Sequence, residues 1–375
     1  MIKEDQEFWS FYENNEEKFE KTKKFLLDVW SFKNCRPAFV FEVEPKHNST
    51  FLERIKNPRL MLDYQMSYIK QRAEIRDDFL PALWPYIGTG IFPSAFGCKC
   101  RYFQDREPWA EPIIFGDPKA VYKLKKTDVY DGLLGDVLNM EKFFMKETKQ
   151  RTPIRITDIQ SPLGVAVQMW DPLDFYTALY TSPGEVDFLL QRITELIIKF
   201  IRKFREIAGE LLFIPDWPSV WMPKDLGVCV SDDVMANISA EHFAKFSLPY
   251  LNRISDEFSG LWIHSCGNIS HNLDNLSLVH NLRGIDFAVT ETPIDAVLER
   301  FRGKIIISMR VGLNKKGEFL NMPQFVRYVQ KKLKKKVEGV FLYLDIWEGN
   351  RAVPVKCSLE QIDKICKLLN NIKNK

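Results

Sequence analysis

The stretch SDDVMANISAEHFAKFSLPYLNRISDEFSGLWIHSCGNI (residues 231–269) runs from one strand-like segment, through a helical pattern, into a second strand-like segment. The first segment is DLGVCVSDD (225–233) and the second is LWIHSC (261–266), and both are short and largely apolar. Parallel strands must be joined by a crossover connection, which is usually a helix. This stretch therefore predicts one β-α-β unit of a parallel sheet.

Similar strand-like segments recur along the chain, and helix-length segments separate several of them. The eight runs are PAFVFEV (37–43), YIGTGIF (86–92), TPIRITDIQ (152–160), DLGVCVSDD (225–233), LWIHSC (261–266), LRGIDFA (282–288), KIIISMR (304–310) and VFLYLDI (340–346). Eight alternating units in one chain predict an α/β protein with the (β/α)8 TIM-barrel fold.

The remaining segments complete the predicted organisation. Residues 1–35 read as a charged, aromatic helical extension, and residues 36–375 as the barrel. The stretch 93–150 exceeds a simple β-α unit and contains the Pro-rich, acidic DREPWAEPIIFGDP, so we expect an elaborated loop after the second strand. If the aromatic N-terminal helix exposes an apolar surface, the protein would form a homodimer.

Charge and composition argue against several classes of function. With 53 basic and 50 acidic residues, the formal net charge of +3 gives no reason to expect nucleic acid or an anionic membrane as a partner. The sequence lacks a secretory signal and a stretch of transmembrane length, so we expect a cytoplasmic protein. Seven scattered cysteines argue against a disulfide framework. GxGxxG, Walker A, GxSxG and HExxH motifs are absent, which disfavours nucleotide hydrolysis and serine hydrolase chemistry.

Polar side chains converge at the predicted strand ends, where a TIM barrel places its active site. Each of them alone is more often a helix cap or an ion-pair partner, but inert strand ends would not need so many titratable groups. They are Glu42 and Glu44 on the first strand, Asp158 and Gln160 on the third, Ser231, Asp232 and Asp233 on the fourth, His264 and Cys266 on the fifth, and Asp286, Arg310 and Asp345 on the last three.

His264 and Cys266 form the most specific pair among them. Side chains two apart on a strand point to the same side, and a thiolate with an imidazole suits zinc. A pair is not a complete site, however, and the pair alone favours a buried strand-end histidine beside a small apolar cysteine over a metal site. Asp345 is a candidate third ligand, while the second pair, Cys98 and Cys100, lies on the loop after the second strand with its role open.

The order and spacing of residues 231–269 resemble the uroporphyrinogen decarboxylase superfamily. In that superfamily acidic residues end a strand, a helix of the "SPELFREFxLPYLKRI" kind follows, and the next strand closes on "HxCGN". Weaker similarity extends to TDIQSPLGVA (157–166) and VFLYLDIWEGNRAVPVKCSLEQI (340–362). The resemblance implies the same (β/α)8 fold that the strand count predicts.

Two branches of the superfamily imply different functions. Uroporphyrinogen decarboxylases carry an arginine-rich "MRQAGRY" segment after the first strand, which binds propionates. Here the equivalent segment is FVFEVEPKHNSTF (39–51), which places Glu42 and Glu44 where guanidinium groups would be needed. The resemblance therefore points away from a porphyrinogen substrate.

The other branch comprises methyltransferases that work with corrinoid proteins. In this branch the His-x-Cys pair binds zinc, which implies that His264 and Cys266 are ligands. The family's third ligand is a cysteine in "SPGC", whereas this chain reads LYLDIW with Asp345 near that position. The resemblance implies zinc, methylcobalamin carried by a separate corrinoid protein, and a small thiol or tetrahydrofolate as methyl acceptor.

The predicted roles of the other strand-end residues follow from this reading. Asp232 and Asp233 would orient the substrate, and in the absence of zinc they or Glu44 would hold a pterin ring. Substrate binding is assigned to four residues: Glu42, Glu44, Asp158 and Gln160. Two alternatives stay open: a decarboxylase of a smaller substrate, with Arg310 beside the departing carboxylate, and a non-catalytic binding protein with an occluded barrel mouth.

Overall fold

A computed structural model describes residues 3–42, 47–72, 75–214, 217–311, 322–345 and 359–370. The strands are β1 (Ala38–Glu42), β2 (Cys100–Arg101), β3 (Trp109–Ala110), β4 (Ile154–Arg155), β5 (Leu212–Phe213), β6 (Val228–Ser231), β7 (Leu261–His264), β8 (Leu282–Ala288), β9 (Ile306–Arg310) and β10 (Val340–Asp345). The helices are α1 (Lys3–Asn14), α2 (Glu16–Trp30), α3 (Phe51–Lys56), α4 (Pro58–Arg72), α5 (Ile91–Ala95), α6 (Leu133–Glu147), α7 (Pro162–Met169), α8 (Pro172–Thr181), α9 (Pro183–Ala208), α10 (Ala240–Phe246), α11 (Leu248–Phe258), α12 (Leu273–Leu276), α13 (Ile294–Phe301), α14 (Met322–Leu333) and α15 (Leu359–Asn370).

A six-stranded parallel sheet in the order β1-β10-β9-β8-β7-β6 forms the centre of the fold. Helices connect its successive strands, as a parallel sheet requires. The apolar residues of β6, β7 and β9 are buried on both faces, which explains why these strands read as continuous apolar runs in the sequence. The predicted α/β class and barrel-type fold are confirmed.

Isolated bridges and single hydrogen bonds continue the parallel pairing beyond β6. Gln160 forms a parallel bridge with Ser231, and Leu83 forms one with Ile154. The backbone N–H of Asp78 donates to the carbonyl of Phe39 in β1 (3.0 Å). These contacts lead from β6 through the segments around 160 and 83 back to β1.

Two aspartates and two arginines hold β1 against the segment around residue 78. Asp78 accepts from the Phe39 N–H (3.0 Å) and pairs with Arg36, whereas Asp77 accepts from the Phe41 N–H (2.8 Å). Arg72, at the end of α4, pairs with Asp77 and donates to the carbonyl of Phe41, with both side chains of the pair almost fully buried. Buried charged side chains therefore attach β1 to the segment around residue 78.

The strands predicted from the sequence agree best with the observed strands in the second half of the chain. The run 282–288 is β8 as predicted, and the runs 37–43, 304–310 and 340–346 differ from β1, β9 and β10 by one or two residues at an end. The strand predicted over 86–92 is wrong. Gly88 has φ +109, a backbone conformation outside the strand region that strains any side chain, and helix α5 begins at Ile91. The residue of this segment that pairs with the sheet is Leu83, which lies before the predicted run.

The N-terminal helices pack on the barrel. Phe8 of α1 and Leu26 and Val29 of α2 are fully buried, and the Trp30 ring lies 5.9 Å from that of Trp262 in β7. The division into an extension (1–35) and a barrel (36–375) stays a prediction, as does the homodimer. The predicted elaborated loop over 93–150 contains the β2-β3 hairpin and all of α6. No helix among the described residues is long and apolar enough to cross a membrane.

Candidate metal centre

Strand β7 brings His264 and Cys266 to the same point. His264 ends the strand and is 4% exposed, while Cys266 follows two residues later and is half-buried. The Cys266 Sγ lies 3.7 Å from the His264 Nε2. The two donors therefore face each other, as their spacing predicts.

Asp233, two residues beyond the end of β6, completes a group of three. Ser231 pairs in register with His264, so the residues that follow the two strands are also neighbours. The Oδ1 of Asp233 accepts a hydrogen bond from the Cys266 N–H (2.6 Å) and lies 3.9 Å from the His264 Nε2. The potential ligand atoms of Asp233, His264 and Cys266 all lie within 4.8 Å of one another.

The next two strands support the ring of His264 from behind. His264, Asp286 and Ser308 lie at the same register level of β7, β8 and β9. The Nδ1 of His264 is 2.6 Å from Oδ1 of Asp286, whose other oxygen accepts from the Ser308 hydroxyl (2.7 Å). A carboxylate on the far nitrogen is the arrangement that orients a metal-binding histidine and leaves Nε2 for the metal.

Arg310 of β9 links this support to the sulfur. Its Nε donates to Asp286 (2.9 Å), and its Nη2 donates to the Ser265 carbonyl (3.0 Å) and lies 3.3 Å from the Cys266 Sγ. Arg310 is 3% exposed, so its charge acts on the buried carboxylate and on the sulfur rather than on solvent.

The buried charges shift the protonation of both members of the His264–Asp286 pair. Burial disfavours the imidazolium, but the bonds to Asp286 and Cys266 outweigh it and raise the pKa of His264 to about 10. Burial alone would raise the pKa of Asp286, yet Arg310 and His264 hold it below its usual value. A metal ion at Nε2 would have to displace a proton.

The other residues predicted for the site lie apart from this group or are engaged elsewhere. Asp232 is fully buried, its pKa is raised to about 6 by burial, and it accepts from the Ser247 hydroxyl (2.7 Å). Asp158 accepts from the side-chain amide of Gln160 (3.0 Å).

Glu44 lies outside the described residues. Asp345 ends β10, but its side chain lies outside the described part of the chain, so its role as a ligand stays a prediction.

A cavity of about 190 Å³ is connected through Trp217 to the metal-ligand group, as we call Asp233, His264 and Cys266. Glu42 lines it and accepts from the hydroxyls of Tyr343 (2.5 Å) and Tyr68 (3.3 Å). Trp217 also lines it and packs edge-on against His264, with ring centroids 6.0 Å apart. Other lining residues are Arg54, Tyr64, Trp84, Tyr86 and Arg155. Apart from Glu42, sequence reasoning missed these residues, because it searched only the polar ends of the predicted strands.

The donor set fits zinc. A thiolate, an imidazole and a carboxylate are three ligands that zinc accepts, and catalytic zinc sites use three protein ligands with one position open. The side chain of Asp233 is 48% exposed, so the group can be reached from solvent. The bond from Asp286 to the far ring nitrogen is the second feature of the structure that suits a metal here.

Comparisons with known proteins address the fold and the family. Residues 29–300 match the family described as uroporphyrinogen decarboxylase (URO-D). No curated protein matches the chain. Among solved structures, a methyltransferase from Methanosarcina mazei is similar over 93% of this chain and 98% of its own, with 15% identity and a TM-score of 0.65. A putative vitamin-B12 independent methionine synthase from Listeria monocytogenes covers 64% of this chain and 70% of its own, with 14% identity and a TM-score of 0.39. At these identities the likeness to the first structure concerns the fold alone.

Proposed function

The chain belongs to the uroporphyrinogen decarboxylase family, and we propose that within it the protein is a zinc-assisted methyltransferase. The methyl donor would be methylcobalamin on a separate corrinoid protein, and the acceptor a thiol or tetrahydrofolate. The observation that carries this proposal is the group of Asp233, His264 and Cys266, whose ligand atoms lie within 4.8 Å of one another. The M. mazei structure of similar fold is named a methyltransferase, which accords with it.

The three ligands and their supports have distinct proposed roles. Asp233, His264 and Cys266 would hold the ion, and the open position would face the acceptor. Bound zinc would lower the pKa of a coordinated thiol, so that the acceptor reacts as a thiolate at neutral pH. Asp286 fixes the tautomer of His264, and Arg310 keeps that carboxylate ionised.

The remaining predicted roles stay proposals. Glu42, Asp158 and Gln160 would contact the substrate, and the corrinoid protein would dock over the barrel mouth. Arg310 bonds to Asp286 and to the Ser265 carbonyl, which argues against its predicted position beside a departing carboxylate. This observation favours methyl transfer over the decarboxylase alternative.

A methyl-transfer assay tests the function. Purified protein loaded with zinc is mixed with free methylcobalamin and either 2-mercaptoethanol or tetrahydrofolate, and the loss of methylcobalamin absorbance is followed. We expect protein-dependent demethylation with one acceptor, abolished when a chelator removes zinc. Protein that holds zinc but demethylates with neither acceptor, or that works equally well after chelation, would contradict the proposal.

Replacing Asp286 by asparagine should weaken zinc binding about 10–100-fold, because the charged partner of the His264 Nδ1 is lost. Competition with a chromogenic chelator measures the affinity. Ser308→Ala removes only the hydroxyl bond to Asp286 and should give a smaller loss in the same direction. The matched control is Asp256→Asn, because Asp256 pairs with His280 at the surface (2.9 Å). Equal zinc affinity in the Asp286 and Asp256 variants would show that His264 is not a ligand.

A further inference from the structure

We infer that the cavity lined by Glu42, Arg155 and Trp217 binds the carboxylate of a small organic acid through Arg155. That this acid is the methyl acceptor rests on the function proposed above. That the cavity binds a carboxylate rests on its own contacts and charges.

Arg155 is a buried cation, and two of its nitrogens lack a hydrogen-bond partner among the described residues. It ends β4, is 7% exposed, and its guanidinium lies 3.9 Å from the centre of the Trp84 ring. Its Nε and Nη2 have no hydrogen-bond acceptor among the described residues. A buried charge with unmet donors is unfavourable, and a planar carboxylate is the group that a guanidinium fork satisfies best.

The other charges of the cavity also favour an anion. Arg54 lines it as well, and its Nε is likewise buried without an acceptor in the described part of the chain. Glu42 opposes the two arginines, but its carboxylate already accepts from two tyrosine hydroxyls. Two guanidinium groups and one carboxylate leave an excess of positive charge.

The aromatic walls do not form a site for a methylated ammonium group. The guanidinium of Arg54 lies over the Tyr64 ring (4.0 Å) as Arg155 lies over Trp84. The Trp84 ring also stacks on the Tyr86 ring, with 4.0 Å between ring centroids. The rings of Tyr64 and Trp84 therefore already hold a cation of the protein, which leaves them less suited to a cationic ligand.

The size and position of the cavity limit the ligand. Its volume of about 190 Å³ corresponds to roughly six water molecules of liquid, so it suits an acid of a few heavy atoms. Trp217 lines the cavity and also packs against His264 (6.0 Å between ring centroids), so one aromatic ring contacts both the cavity and the metal-ligand group. Because a thiol is one of the proposed methyl acceptors, a small acid that also carries a thiol is the ligand to test.

Calorimetric titration of the full chain tests the carboxylate site. The ligands are 3-mercaptopropionate, neutral 2-mercaptoethanol and cationic cysteamine, with butyrate added to chelator-treated protein as an acid that has no thiol. We expect 3-mercaptopropionate to bind at least about 10-fold more tightly than the other two thiols, and butyrate to bind without zinc. Arg155→Met should weaken both acids about 10–100-fold, since bonds to a charged group are lost.

The controls separate this inference from the proposed function. Arg205→Met removes a half-buried arginine outside the cavity that donates to the Lys224 carbonyl, and it should leave acid binding unchanged. Arg155→Met should keep or raise the thermal midpoint, because it removes a buried charge that has no ion-pair partner in the described part of the chain. Unchanged acid binding in folded Arg155→Met, or tighter binding of cysteamine, would overturn the carboxylate site. Arg155-dependent binding of butyrate together with no methyl transfer to any thiol would uphold the site and overturn the methyl acceptor as its ligand.

Discussion

Cys266→Ala should lower bound zinc from about one ion per chain to a small fraction of that, and should abolish zinc-dependent methyl transfer. Cys266 supplies the only sulfur of the metal-ligand group among the described residues, with its Sγ 3.7 Å from the His264 Nε2. Loss of one of three protein ligands leaves too few donors to hold the ion at neutral pH. Elemental analysis of purified, tag-free protein measures the metal, and the demethylation assay measures the activity.

The matched control for this substitution is Cys100→Ala. Cys100 is half-buried like Cys266 but lies on strand β2, outside the group. The Cys100→Ala variant should retain zinc and activity, and circular dichroism should show the same fold for both variants. If Cys266→Ala retains as much zinc as Cys100→Ala, the sequence HSCGN ends a strand without binding metal.

Arg72→Met should lower the free energy of unfolding by about 3–5 kcal/mol, because it leaves the Asp77 carboxylate buried without its partner. Asp77 also accepts from the Phe41 N–H of β1, and Arg72 donates to the Phe41 carbonyl. The substitution therefore weakens the attachment of β1 to the segment that follows α4. Denaturant titration of the wild type and variant measures the change.

A double variant and a surface pair sharpen this prediction. Arg72→Met combined with Asp77→Leu removes both buried charges and should recover part of the lost stability. Lys21→Met breaks the exposed pair with Glu17 and should leave the free energy of unfolding unchanged within the error of the titration. A loss from Arg72→Met as small as that from Lys21→Met would show that the buried pair does not hold β1.

The fold could be predicted from the sequence where burial makes a strand apolar throughout. Strands β8, β9 and β10 lie inside the sheet with both neighbours paired, so their apolar runs and their bounds coincide closely. The second predicted strand was wrong because its apolar residues Ile91 and Phe92 belong to helix α5, where they are buried. Strand β5, two residues at the end of the long α9 pattern, gave no separate signal.

The metal ligands were predictable in part. His264 ends β7 and Cys266 follows two residues later, so their spacing was sufficient to pair them. Asp233 was recognised as a strand-end residue but not as a ligand, because that requires the register Ser231 to His264 between β6 and β7. Asp286 likewise depends on the register of β7 with β8. Register follows from side-chain packing between strands, which a single sequence does not display.

The cavity could not be predicted, because its residues come from segments that are far apart in the chain. Arg155 and Arg54 stand more than 100 residues before the strand that carries His264, and neither belongs to a motif. Their significance depends on burial and on missing hydrogen-bond acceptors, which exist only in the folded chain.

X-ray absorption at the zinc edge tests the central claim most directly. The zinc-loaded protein should show one sulfur neighbour at about 2.3 Å and nitrogen or oxygen neighbours at about 2.0–2.2 Å, as expected for Cys266, His264 and Asp233. The sulfur signal should disappear in any zinc retained by Cys266→Ala. A spectrum of the unmodified protein with nitrogen and oxygen neighbours alone, or a spectrum that is the same in the two proteins, would contradict the proposed centre.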